Sequence, residues 1–261
     1  MTTITLENNK KITYDDLGEG TPIIFIHPPG MGRHVFYYQR KLSEKMRVII
    51  PDLTGHGDSS SADVNDISIQ YYSKEILALL DELKIKSAVF CGYSAGGGIA
   101  QLISSHSQER VEGLILIGGY PAVLNPSLKA EHKLGMYMVK QHRNLLTKII
   151  ANSHTKNKNL KELLISHMNK AQQDVWYKFY QEVLNMNLTN DIVGIRVPLL
   201  WMDGTRSDAI NLYQKFYRNR SVNDRIVLFK HVNHQIPTKK WKSVNEEIVQ
   251  YICKLGKNLN L

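Results

Sequence analysis

Gly92, Tyr93, Ser94, Ala95 and Gly96 form the pattern G-x-S-x-G. The residues before it, Ser87 to Cys91, read as a buried strand, and Ala95 to Leu102 open a helix. A strand that turns straight into a helix crowds its own backbone, so small residues must flank the turn. The serine is thereby lifted to the carboxyl edge of the sheet, above a helix N-terminus. A serine hydroxyl is a poor nucleophile until a base takes its proton. The chain has ten histidines. His234 follows the last strand-like run, Arg225 to Phe229, in a loop that gives it reach to the same edge, and it is the candidate base. His231 stands closer to that strand and reads as tied to its end. The base in turn needs an acid to fix its tautomer. Asp203 ends the preceding strand-like run and Asp208 lies in the loop after it. Read without chemistry, they are a turn residue and a helix N-cap. The loop gives Asp208 the reach, so it is the preferred acid and Asp203 the alternative.

These residues need a sheet to hold them. Ile4 to Leu6 and Ile12 to Tyr14 read as a hairpin around Asn8, Asn9 and Lys10. Short apolar runs of the buried, parallel kind follow at 22–26, 47–50, 87–90, 114–117, 197–201 and 225–229. Helical periodicity separates most of them, as in Ile69 to Leu83, which implies βαβ units and a doubly wound α/β sheet. Between Ile117 and Val197 no strand-like run occurs; Leu128 to Ile150, Leu160 to Met168 and Val175 to Met186 read as helices. Their large apolar residues make this a packed insertion rather than a linker. Met136, Met138, Trp176, Tyr177, Phe179 and Tyr180 there line a pocket or form the insertion's own core.

The composition narrows the classes. Hydrophobic residues are 43% and charged residues 22% of 261, the profile of a globular chain. Two cysteines, Cys91 and Cys253, exclude a disulfide framework and a C-x-x-C site. The polar N-terminus and the lack of an 18-residue apolar run predict no secretion signal and no membrane span, hence a cytoplasmic protein. The net charge is +9, but the basic residues are scattered, without a run of five or an interleaved aromatic pattern, so no nucleic-acid partner is expected. His27 and His56 read as structural, and Gly96 to Gly98 lack the Lys-Ser/Thr of a phosphate loop.

Taken together, the chain resembles the α/β-hydrolase superfamily along nearly its whole length. The order Ser94, Asp208, His234 is that superfamily's order. Gly18 to His27 resembles its first core strand, Asp52 to Ser59 its D-x-x-G-x-G-x-S segment, and 119–196 its helical cap. The resemblance implies an α/β-hydrolase fold with a mostly parallel eight-stranded sheet and helices on both faces. Residues 1–118 and 197–261 would form the core, with the cap inserted after the sixth strand. It departs at two places. The family's acid lies three residues after a strand-end glycine, where this chain has Ser207, one before Asp208. The family's oxyanion loop reads His-Gly-x-Gly, whereas here it runs from His27 through Pro28 and Pro29 to Gly30, Met31 and Gly32. Pro29 falls at the donor position and has no N–H. Gly30 or Met31 must substitute, beside Ala95 N–H at the helix N-terminus.

The implied activity is hydrolysis of a small carboxylic ester through an acyl-enzyme, with no cofactor or metal and a small-molecule substrate. Alternatives within the resemblance are an aminopeptidase or amidase, a C–C bond hydrolase, or a signal-binding protein with little turnover. Eleven basic and five acidic residues in 119–196 give the insertion six of the nine net charges. A cationic lid would attract anionic substrates, whereas lysines facing solvent all round would give no directed field.

Overall fold

A computed structural model describes residues 2–7, 9–218 and 223–258, with Asp208, Lys257 and Asn258 described by their backbone alone. Asn8, in the expected hairpin turn, lies outside the described residues. The strands are β1 (Thr2–Thr5), β2 (Lys11–Leu17), β3 (Pro22–Ile26), β4 (Arg47–Pro51), β5 (Ala88–Tyr93), β6 (Val111–Ile117), β7 (Leu199–Gly204) and β8 (Arg225–Phe229). They form one sheet in the order β1-β2-β4-β3-β5-β6-β7-β8. β1 and β2 pair antiparallel, β2 meets β4 antiparallel, and every other pairing is parallel.

The apolar runs behave as strands buried on both faces because alternate side chains point to opposite sides. Ile24, Ile26, Phe90, Leu114, Leu116 and Trp201 enter one core, with Leu79, Leu80, Ile99 and Ile103 from the covering helices α1 (Ile69–Glu82) and α2 (Gly96–His106). Ile23, Phe25, Val89, Cys91, Ile115, Ile117 and Met202 enter the other. They meet Val35 and Phe36 from the loop after β3, and Val244, Ile248 and Tyr251 from the C-terminal helix. Helix α1 starts where Ser68 Oγ accepts the Tyr71 N–H at 3.0 Å, an N-cap that fixes its first turn.

Between β6 and β7 lie α3 (Pro126–Gln141), α4 (Arg143–His154), α5 (Lys158–Met168), α6 (Gln173–Asn185) and the short α7 (Asp191–Gly194). The sequence reads Leu128 to Ile150 as one helix, but the chain breaks at His142, whose φ of −140° and ψ of 40° leave the helical region. The break lets α3 pack on α6 while α4 packs on α5. After β7 come α8 (Asp208–Asn211), then α9 (Ile236–Lys239) and α10 (Trp241–Asn258) behind β8. Among the described residues no helix is long and apolar enough to cross a membrane.

The intervening helices are pinned to the core by charge. His167 Nε2 of α5 lies 2.8 Å from Asp52 Oδ1, and Lys170 Nζ lies 2.6 Å from Asp58 Oδ1. The buried Arg33 guanidinium joins both aspartates. Burial alone would raise the Asp52 carboxyl, but the hydrogen bond and charge of His167, then Arg33, hold it well below the usual carboxylate range. Asp52, Asp58 and His167 are close enough to ligate an ion together. The cations Arg33 and Lys170 already neutralise both carboxylates, so the cluster is accounted for as a clamp.

Candidate active site

Ser94 stands between β5 and α2 with φ at +52°, in the left-handed region that a non-glycine residue adopts only where its surroundings enforce it. Its N–H is held by Ile117 O at 2.8 Å. The corner depends on its glycines: a Cβ at Gly92 would overlap the backbone of Gly97, and one at Gly96 would overlap the Ile26 carbonyl. Ala95 lines the same cavity as Ser94, and its N–H takes no backbone acceptor among the described residues.

His234 enters from the loop between β8 and α9. Its ring stacks on Tyr93, centroids 5.1 Å apart and planes at 27°. It also lies over Gly118, where any Cβ would overlap the imidazole. Its Nδ1 is 3.5 Å from Asp203 Oδ1, just beyond hydrogen-bond length. Asp203 is fully buried at the end of β7; Oδ1 accepts the Gly204 N–H at 2.7 Å and the Ser207 hydroxyl at 3.0 Å, while Oδ2 has no partner. Neither ring nitrogen of His234 is paired. Asp208 begins α8, and its side chain lies outside the described residues. Of the two aspartates singled out in the sequence, Asp203 is the one seen beside His234. His231 turns through φ +59° after β8, and its backbone N–H donates to Thr205 Oγ1.

The loop after β3 approaches from the other side. His27 is buried and spends both nitrogens on backbone: Nδ1 on Pro28 O at 2.9 Å and Nε2 on the Leu53 N–H at 3.0 Å. Burial pushes its pKa down to about 4, so it is a neutral tie between the loops after β3 and β4. Met31 N–H turns back onto Pro28 O at 3.3 Å, whereas Gly30 N–H meets no backbone acceptor among the described residues. Gly30 has φ +79° and a Cβ there would overlap Trp176, so this loop, too, requires glycine.

Ser94, Ala95, Met31 and His234 line one cavity of about 580 Å³ under α3 and α4. Leu128, Met138, Leu146, Ile149 and Ile150 supply an apolar wall; Glu131 and Arg206 are its ordinary charged groups. Of the aromatic and methionine residues noted in 119–196, Met138 and Tyr180 line this cavity, Trp176 and Phe179 are wholly buried in the core, and Met136 and Tyr177 line a shallower cleft.

Residues 21–234 match the family profile described as the alpha/beta hydrolase fold. The chain belongs to the alpha/beta hydrolase family. As an alpha/beta hydrolase it is similar in structure to an esterase from Exiguobacterium antarcticum, with a TM-score of 0.86 at 22% identity over 96% of this chain and 98% of that one. It is also similar to the enol-lactonase from Burkholderia xenovorans LB400, with a TM-score of 0.83 at 18% identity over 97% and 100%. Among curated proteins, it is 32% identical to 3-oxoadipate enol-lactonase 2 of Acinetobacter baylyi over 40% of each chain. It is 30% identical to the non-heme haloperoxidase of Rhodococcus erythropolis over 46% of this chain and 45% of that one. These matches span under half the length of the curated relatives.

The structure adds His132 to the lining of this alpha/beta hydrolase's cavity, with Tyr120 bonded to it, and sequence reasoning passed over both. Tyr120, two residues beyond Gly118, and His132 on α3 meet through a 2.8 Å hydrogen bond, and His132 lines the Ser94 cavity. Tyr120 had a signal, its place at the carboxyl end of β6, where sites of parallel sheets gather. His132 had none, because only the packing of α3 over the sheet brings it there.

Proposed function

We propose that this chain is a serine hydrolase that cleaves a small carboxylic ester, with Ser94 as nucleophile, His234 as base and Asp203 as the acid behind it. The supporting observation is a serine strained to φ +52° at a strand-to-helix corner, facing one cavity with a histidine that has an aspartate at its back. Asp203 is preferred to Asp208 on that pairing. Ser94 Oγ attacks the ester carbonyl while its proton passes to His234 Nε2. Asp203 faces Nδ1 and stabilises the imidazolium. The 3.5 Å separation closes to a hydrogen bond as the charge develops. Ala95 N–H, with Gly30 or Met31 N–H in place of the donor that Pro29 lacks, binds the oxyanion. His234 returns the proton to the departing alcohol. Water, deprotonated by His234, then releases the acid and restores Ser94.

The helices from Pro126 to Gly194 act in this reading as a cap over residues 1–118 and 197–261. The apolar wall from Leu128 to Ile150 suits a short to medium acyl chain, because each buried methylene adds about 0.8 kcal/mol of transfer free energy. The test is hydrolysis of p-nitrophenyl butanoate together with fluorophosphonate labelling. Ser94→Ala is expected to abolish labelling and lower turnover by at least ~10³-fold. Turnover within tenfold of the wild type would exclude the mechanism. Tight binding of an ester without turnover by the wild type would favour a signal-binding protein instead.

A further inference from the structure

His154 is a titratable side chain in the cavity that the mechanism leaves unused. It ends α4, is buried, and lines the same cavity as Ser94. Thr238 fixes where its proton sits. Thr238 Oγ1 lies 2.8 Å from the His154 carbonyl and 3.2 Å from that of Gln235, and carbonyls only accept, so the one hydroxyl proton is spent there. The same oxygen lies 3.2 Å from His154 Nδ1 and has only lone pairs left, so Nδ1 carries a proton and donates it. Burial pushes the imidazole pKa down to about 3, so the ring is neutral and Nε2 keeps a lone pair. Thr238 stands outside the cavity lining, which leaves the opposite edge of the ring, with Nε2, on the cavity side. That nitrogen has no hydrogen-bond partner among the described residues. The neighbouring Ser153 also lines the cavity, and its hydroxyl proton goes to Ile150 O at 2.7 Å. The end of α4 therefore offers the cavity lone pairs and no donor. The Tyr93 ring places this end relative to the chemistry: it meets His234 with centroids 5.1 Å apart and His154 edge-on at 5.9 Å. His234 returns its proton to the departing alcohol, so the alcohol half of the ester lies on this side of Ser94.

We propose that His154 is a specificity-determining residue: held by Thr238 as a hydrogen-bond acceptor in the cavity wall, it selects esters whose alcohol half carries a further hydroxyl, as in the esters of a glycol or of glycerol. The inference rests on the serine-hydrolase reading above. A methyl group in place of that hydroxyl leaves the buried Nε2 unpaired, so the alkyl ester of equal size is disfavoured.

The experiment compares butanoate esters in three pairs of equal size: 2-hydroxyethyl against propyl, 3-hydroxypropyl against butyl, and 4-hydroxybutyl against pentyl. A further pair, propyl 3-hydroxybutanoate against propyl 3-methylbutanoate, puts the hydroxyl on the acyl side. The hydroxy-to-methyl ratio of kcat/KM is read in the wild type, His154→Phe and Thr238→Val. His154→Phe keeps an aromatic ring and removes the lone pair. In at least one alcohol-side pair the wild-type ratio is expected to exceed the His154→Phe ratio by about 2- to 10-fold, the worth of one net hydrogen bond. Thr238→Val keeps the imidazole but removes the oxygen that holds the proton on Nδ1, so its ratio is expected to fall in the same pair. It reads the same lone pair should His154→Phe fail to fold. Ratios that agree between the wild type and both variants, whatever the rates, would show a structural role for His154 and overturn the proposal while leaving the hydrolase reading intact. A change confined to the acyl-side pair would overturn it equally. If none of the esters is cleaved, both readings fall.

Discussion

Oδ1 of Asp203 lies 3.5 Å from Nδ1 of His234, across the gap between the end of β7 and the loop after β8. The sequence favours Asp208, because a loop residue has more reach than one at a strand end. The bend at Val232 and Asn233 brings the histidine to the strand end instead: their carbonyls lie so close over Gly204 that any Cβ there would overlap them. Asp203→Asn is expected to lower kcat by at least ~10²-fold, since an amide cannot hold the imidazolium. Asp208→Asn is expected to stay within about threefold of the wild type, because on this reading Asp203 rather than Asp208 holds the imidazolium. Steady-state kinetics on p-nitrophenyl butanoate decides, and the opposite ranking would assign the acid to Asp208.

Gly118 leaves room for the His234 ring. It has φ +59°, and an added Cβ would overlap Cε1 and Nδ1 of His234. Gly118→Ala is expected to displace the ring from Asp203 and lower kcat at least ~10-fold, because small misplacements of a catalytic group are costly. Fluorophosphonate labelling should slow in parallel. Unchanged kinetics in a folded variant would show that His234 occupies another position in catalysis.

Glu75 should set part of the pH dependence of stability. It is buried on α1, accepts the Thr54 N–H at 3.0 Å, and burial pushes its pKa up to about 7. A folded pKa above the unfolded value of about 4.5 means that its contribution is full below pH 4.5 and is lost as pH rises through 7. The loss amounts to about 3 kcal/mol. Glu75→Gln keeps the shape without the charge. Its urea midpoint is expected to fall less than that of the wild type between pH 5 and pH 8. Parallel midpoints would show that Glu75 titrates normally.

The positive charge should not steer substrates. Lys129, Lys133, Lys140, Lys148, Lys156 and Lys158 all face solvent. The cavity lining holds one cation, Arg206, and one anion, Glu131. Esters bearing a remote carboxylate are therefore expected to match neutral esters of equal size within about twofold in kcat/KM at low salt, where the Debye length is ~30 Å and steering would be strongest. A clear anionic preference that vanishes at high salt would show a directed field over the cavity.

Some of this was settled by the sequence alone. Runs such as Ile23 to Ile26 and Leu114 to Ile117 are apolar at every position, and only a strand covered on both faces buries them all, so the parallel sheet was legible. The serine corner was legible too, because glycines and alanine at 92, 95 and 96 suit a turn where any larger residue collides. Contacts between residues far apart in the chain were not. Which aspartate meets His234 depends on how the loop after β8 folds over Gly204, and spacing carries no record of that. The break at His142 follows from two helices each finding a different partner, an energy that belongs to tertiary packing rather than to local propensity. Likewise Tyr120 and His132, and the His167 clamp on Asp52, exist only because the helices between β6 and β7 descend onto the sheet. Local pattern determined the elements; the long-range burial of a few polar side chains decided what each of them faces.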